Sequence, residues 1–297
     1  AAGFTIGNKG YICGGYNGKT TRLADTWEYD IDNDWWTQRA DMPGTVRNAA
    51  TGFPVGNKGY ITTGYNPDQK YLADTWEYDP ETNTWRQMDD FKGGARYYAL
   101  GFGIDNYGYV GTGYNDNYLK DFYRFDPTAA AGSQWTIVNG FGGQKRQGAT
   151  AFVIDGKAYV CGGQNNNSDV SDFWRFDPSA ATPWTQLRDI ANTSDDDYDD
   201  DYTSIVRSYG VSFVIDGKAY LTLGSTAGGS YYSNYWIYDP ETDLWEGDDL
   251  TAFEGSTRIH AVCFSTGIRG IIATGGSGSS SYFDDTWELK PYEYEEE

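Results

Sequence analysis

Five arginines recur through the 297-residue chain at positions that could gather into one anion-binding ring: Arg47, Arg96, Arg146, Arg207 and Arg258. From each of them 13 residues run to the start of a glycine-ended segment, at Tyr60, Tyr109, Tyr159, Tyr220 and Ile271. A guanidinium fork matches a carboxylate or phosphate bidentately, so a ring of such forks would suit an anionic ligand. After each glycine-ended segment comes a loop. The first loops open on Tyr16-Asn17, Tyr65-Asn66, Tyr114-Asn115 and Gln164-Asn165, and the last two on Ser225-Thr226 and Ser277-Gly278. Tyr16, Tyr65, Tyr114 and Asn165 would therefore add stacking faces and amides to one sector of the rim. The competing reading gives each arginine to the scaffold, where it would satisfy carbonyls at a strand end.

Other chemistry is sparse. Arg207 follows Trp184 by 23 residues, against 11 for the same interval in the first three repeats. The extra segment holds Asp195, Asp196, Asp197, Asp199, Asp200 and Asp201. Clustered carboxylates suit a hard cation, and Asp195, Asp197, Asp199 and Asp201 are the candidate calcium ligands. Their spacing does not match the D-x-[DN]-x-[DN]-G loop, and a solvated, self-repelling acidic loop is the plainer account. His260 is the single histidine, which leaves no histidine-rich metal set and no two-imidazole mechanism. Cys13, Cys161 and Cys263 form no CxxC pair. Nothing in the sequence calls for a cofactor. A formal charge of −21 argues against nucleic acid as a partner, since its phosphates reward basic stripes. No apolar run is long enough to suggest a membrane span.

The elements that must position these residues form a repeat. Six copies of one strand follow each other: DTWEYD at Asp25 and Asp74, DFYRFD at Asp121, DFWRFD at Asp172, NYWIYD at Asn234 and DTWELK at Asp285. The aromatic third residues are spaced 49, 47, 51, 62 and 51 apart. A second tryptophan follows five copies, at Trp36, Trp85, Trp135, Trp184 and Trp245. Aromatics make up 17% of the chain and there are 38 glycines, a composition for short strands and tight turns rather than helices. Each unit reads as four strands, a to d, with the repeats at about 1–46, 47–95, 96–145, 146–206, 207–257 and 258–297. The last copy stops after strand c, and its fourth strand is expected upstream of Ala1 in a longer native chain, with 292–297 as a poor substitute.

Gly162-Gly163, the Trp174 strand with its Asp177-Pro178 turn, Trp184 and Arg207 together resemble the kelch motif. The resemblance spans the chain and implies an all-β fold: a single six-bladed propeller of four-stranded antiparallel blades, the last lacking its own strand d. In style the chain is most similar to bacterial, extracytoplasmic kelch proteins labelled galactose oxidase-like. That oxidase chemistry uses copper with two histidine ligands, and a chain holding only His260 departs from it. The resemblance thus implies a non-catalytic module in the bacterial envelope, binding a glycan or a protein. Its alternative is a sugar-acid epimerase or mutarotase, similar to the six-bladed kelch enzyme acting on sialic acid.

Overall fold

The computed structural model describes every residue except 19, 248–251 and 292–297. Five antiparallel sheets of four strands and one of three are arranged as blades. Strand a of the successive blades is Ala2–Ile6, Thr51–Val55, Leu100–Ile104, Thr150–Ile154, Val211–Ile215 and Val262–Ser265. Each contacts strand a of the next blade, and the sixth contacts the first, so six blades close one ring around an axis. The expected propeller is what forms. The sole helical turn among the described residues is Asp197–Asp199, and none of their helices is long and apolar enough to cross a membrane.

The repeat shapes the blades by alternation. On strand a, Phe4, Phe53, Phe102, Phe152, Phe213 and Phe264 point between blades and are buried. Each stacks on a strand-b tyrosine or packs on the following blade. A Cβ at Gly59 would lie 2.0 Å from the Phe4 ring, so glycine there lets two blades approach. The second tryptophan stacks on the strand-c aromatic of its own blade: Tyr29–Trp36, Tyr78–Trp85, Phe125–Trp135, Phe176–Trp184 and Tyr238–Trp245 have centroids 4.7–5.1 Å apart. Aromatic pairs of this kind contribute roughly 0.5–1.5 kcal/mol each beyond their buried area.

The sixth blade has three described strands, and 292–297, the poor substitute for its fourth, lie outside the described residues. Packing still closes the ring there. Phe264 occupies the space that a Cβ at Gly10 would fill, and Trp36 donates its indole N–H to Thr286 Oγ1 at 3.0 Å. Arg269 adds a bond to the Ile31 carbonyl at 2.8 Å.

Candidate binding site on the loop face

Each arginine of the repeat follows strand d of one blade and enters the next. Its backbone belongs to the seam: the Arg47 carbonyl accepts from Gly15 N–H, and its N–H donates to the Leu23 carbonyl. Its side chain belongs to the blade it enters. Arg47 Nη1 donates to the Thr63 carbonyl at 3.0 Å, Nε to the Thr45 carbonyl at 2.9 Å, and both Nη groups to Asp74 at 2.7 and 2.5 Å. Arg96 repeats this with Asp121, Arg146 with Asp172 and Arg258 with Asp285. Arg207 meets Asn234 instead, at 3.1 Å, and burial without a facing carboxylate pulls its pKa down to about 10. All five arginines are at most 1% exposed.

The anion ring expected of these arginines is therefore corrected. Their donors are spent on carbonyls and on the polar residue that opens strand c, so each side chain staples the incoming d–a connection to the blade it enters. A buried charge is tolerable only when paired and hydrogen-bonded, and this geometry supplies both.

The four calcium candidates do not gather around a common point either. Asp199 turns inward, where its carboxylate accepts from the Thr193 and Ser194 N–H groups at 2.9 Å and from Ser194 Oγ at 2.9 Å. Those bonds hold its pKa below the usual carboxylate range against the cost of burial. Asp195, Asp197 and Asp201 are exposed, and among the described residues no three acidic, histidine or cysteine side chains are grouped to hold an ion. The insertion's own apolar residues explain its position: Tyr202 and Ile205 join the core under Trp236 and Trp245, and Tyr202 Oη accepts from Trp245 N–H at 2.7 Å.

The tyrosines of the b–c loops do gather. The d–a and b–c connections share a face, because Asn48 bridges Tyr65 and Tyr97 bridges Tyr114 by backbone pairing. On that face Tyr97 is the hub. It stacks on Tyr71 with centroids 5.6 Å apart and planes within 7°, and it touches Tyr65, Tyr98 and Tyr114 at 5.7, 4.8 and 5.7 Å. Tyr118 extends the row from Tyr114 at 5.0 Å. At the other end the Arg22 guanidinium lies 4.3 Å from the Tyr16 ring centre and 5.7 Å from that of Tyr65, with Nε bonded to Asn48 Oδ1. Asn165 sits on the rim in the small Gln164–Asn165 pair, but the amide that reaches inward is its neighbour Gln164.

Nearest the axis a second group completes the site. Two residues after each arginine come Ala49, Tyr98, Gly148, Tyr209 and His260, and every one has a φ between 48° and 65°. Left-handed backbone is costly for a tyrosine or histidine and persists only where the surroundings hold it. Here a belt of hydrogen bonds does so: Tyr98 N–H to Ala49, Gly148 to Tyr98, Tyr209 to Gly148 and His260 to Tyr209, at 2.8–3.3 Å. The same turn aims the three side chains together. Tyr98 stacks on His260 at 5.0 Å and 6°, Tyr209 meets His260 edge-on at 4.4 Å, and Tyr98 Oη lies 3.3 Å from His260 Nε2. Gln147 and Gln164 both donate to Tyr209 Oη, at 2.8 and 2.6 Å. Burial pushes the His260 pKa down to about 3, so the imidazole is neutral at ordinary pH.

Of the residues named from sequence, Tyr16, Tyr65 and Tyr114 lie on this face; Arg22, Tyr71, Tyr97, Tyr98, Tyr209 and the placement of His260 were not singled out, and in the Gln164-Asn165 pair the amide chosen was Asn165. The arginine register could have found three of these, since Tyr98, Tyr209 and His260 each stand two residues after a repeat arginine.

Comparison with known proteins agrees with the fold. Residues 1–144 match the KLHDC2/KLHL20/DRC7 Kelch-repeats domain and residues 145–187 match the Kelch motif. No curated protein matches. Among solved structures, one titled "Structure of YjhT" is similar over 96% of this chain and 92% of its own, at 16% identity and a TM-score of 0.76.

Proposed function

Starting from a chain that belongs to the kelch-repeat β-propellers, we propose that it is a non-catalytic binding module of the bacterial envelope and that its ligand is a glycan. One observation carries the reading: a continuous crescent of tyrosines on one face, with Tyr97 at its centre. Sugar rings present C–H faces that pack on aromatic rings, while their hydroxyls need donors and acceptors at the edge. The crescent offers both, through phenols, the Asn48 and Gln164 amides and Arg22. Tyrosine supplies rigid contact area at low entropic cost, and this also makes it a favoured residue in protein recognition.

A purified-glycan panel probed with the native protein and with Tyr97→Ala tests the reading. Binding by the native protein that the variant loses supports it. Binding that survives the substitution, or that is confined to peptides and proteins, counts against it.

The sugar-acid epimerase reading drew on arginines open to a carboxylate. With all five engaged in their own blades, the non-catalytic reading has the better support. Faster exchange of sialic acid anomers in the presence of the protein, seen by NMR, would restore the enzymatic one.

A further inference from the structure

Far from the tyrosine crescent, one register position changes sign between blades. In the first blade Glu28 accepts from Lys9 at 2.7 Å, from Arg39 Nε at 2.9 Å and from Tyr11 Oη at 3.0 Å. The second blade repeats the cluster, with Glu77 accepting from Lys58, Arg86 and Tyr60 Oη at 3.3, 2.8 and 2.7 Å. In the third blade the strand pairing puts Arg124 at the glutamate position, beside Tyr109, while Tyr107 stands where Lys9 and Lys58 do and Thr136 where Arg86 does. Of the three donors only the tyrosine remains, and a guanidinium stands where the carboxylate was. Among the described residues Arg124 makes no side-chain hydrogen bond or ion pair, and its guanidinium lies 4.5 Å from the Tyr107 ring centre.

This position opens on a cleft of about 600 Å³ between the third and fourth blades. Its walls include Tyr107, Phe176, Pro183 and Ile137, and Ile137 is 52% exposed. The facing turn of the fourth blade brings Pro178, Ser179 and Ala180, none of them acidic, and Asp105 is the one carboxylate lining the cleft. The volume falls in the range of small-molecule sites, which combine apolar walls with a few polar anchors.

We propose that this cleft binds a small carboxylate with a flat apolar body, whose carboxylate pairs with the guanidinium that stands where the first two blades carry Glu28 and Glu77. Arg124 and Tyr109 Oη donate to it, and the apolar body lies between Tyr107 and Pro183. The site stands independently of the glycan reading, since it lies on other strands and uses none of the crescent's residues.

Naphthalene-2-carboxylate and its neutral carboxamide are suitable probes for calorimetric titration of the whole chain. The acid is expected to saturate the protein, with the amide about tenfold weaker, because a charge-assisted bond is about twice as strong as a neutral one. Arg124→Gln should bring the acid down to the level of the amide, and Asp105→Asn should tighten the acid. Tyr97→Ala should leave both titrations unchanged, which separates this site from the crescent. Should Arg124→Gln melt early, Arg124→Lys and Asp105→Asn carry the test. Equal affinity for acid and amide, no saturation by millimolar acid, or acid binding indifferent to Arg124 and Asp105 overturns the proposal.

Discussion

Two sectors of the same rim are built on one backbone and carry different residues at equivalent backbone pairs. Across the second and third blades the loop face carries Tyr65, Tyr71, Tyr97, Tyr98, Tyr114 and Tyr118 in mutual contact. Across the fifth and sixth, the equivalent backbone pairs are Ser208 with Ser225 and Ile259 with Gly276. Beneath both sectors the framework is unchanged: a buried arginine, a glycine of positive φ and a strand-c polar partner. At Gly224 the fit leaves no room for a side chain, since a Cβ would lie 2.6 Å from the Ser208 carbonyl. The difference teaches where selection for binding can act in a repeat fold: at positions the blade staple leaves free to vary.

The largest effect is expected from breaking the part the sectors share. Arg96→Ala leaves Asp121 and the Thr112 carbonyl without their donor in a buried seam. Removing one partner of such a pair costs about 3–5 kcal/mol, so a denaturant titration should show a loss of that size. A change within about 0.5 kcal/mol would mean that the arginines are not the staple.

His260 sharpens the comparison by pH. Its folded pKa of about 3 lies below the unfolded value near 6.5, so between these pH values the unfolded chain binds a proton that the folded chain refuses. The neutral form's contribution is complete above pH ~6.5 and is lost as pH falls towards 3. Replacing His260 with Gln should flatten the stability profile between pH 6.5 and about 4, measured by thermal melts; an unchanged slope contradicts the buried neutral imidazole. The carboxylates paired in the blades add their own loss only as pH approaches their depressed values. Asp74 and Asp285 are held low by Arg47 and Arg258.

A smaller effect isolates the one staple that departs from the pattern. Asn234→Asp would give Arg207 the carboxylate its four counterparts have, with Ser204 Oγ left to donate to it. A gain of about 1 kcal/mol is expected, the scale of a charge-assisted bond replacing a neutral one, and the Arg207 pKa should rise. A loss of stability would show that the asparagine is required in the fifth blade.

Most of the architecture was legible before any coordinates, because its signals are periodic. Trp76, Trp85 and Arg96 mark strand c, strand d and the following seam, and their counterparts recur in register around the ring. The arginines' constant spacing was equally legible, yet it suggested a ligand site when it meant a staple. Sequence spacing reports register and not solvent exposure. The decisive clue lay in a second series, Asp74, Asp121, Asp172, Asn234 and Asp285, which repeats 25–27 residues after the arginines. A partner that repeats with a charge marks that charge as spent. Tyr98, Tyr209 and His260 escaped for the opposite reason: their position alternates with Ala49 and Gly148, so a search for identity passes over it. Arg124 was visible as an exception to the glutamate of the first two blades, but only the cleft beside it gives the exception a consequence.

The central claim is that binding resides in the tyrosine sector, above a framework both sectors share. Titrating a glycan selected by the native protein against Tyr97→Ala tests it most directly, with a denaturant curve run on each protein. The account predicts affinity at least about tenfold weaker, equal to about 1.4 kcal/mol, with stability changed by less than the loss at Arg96. Undiminished affinity in Tyr97→Ala, or affinity lost instead on substitution of Ser225 in the opposite sector, would contradict it.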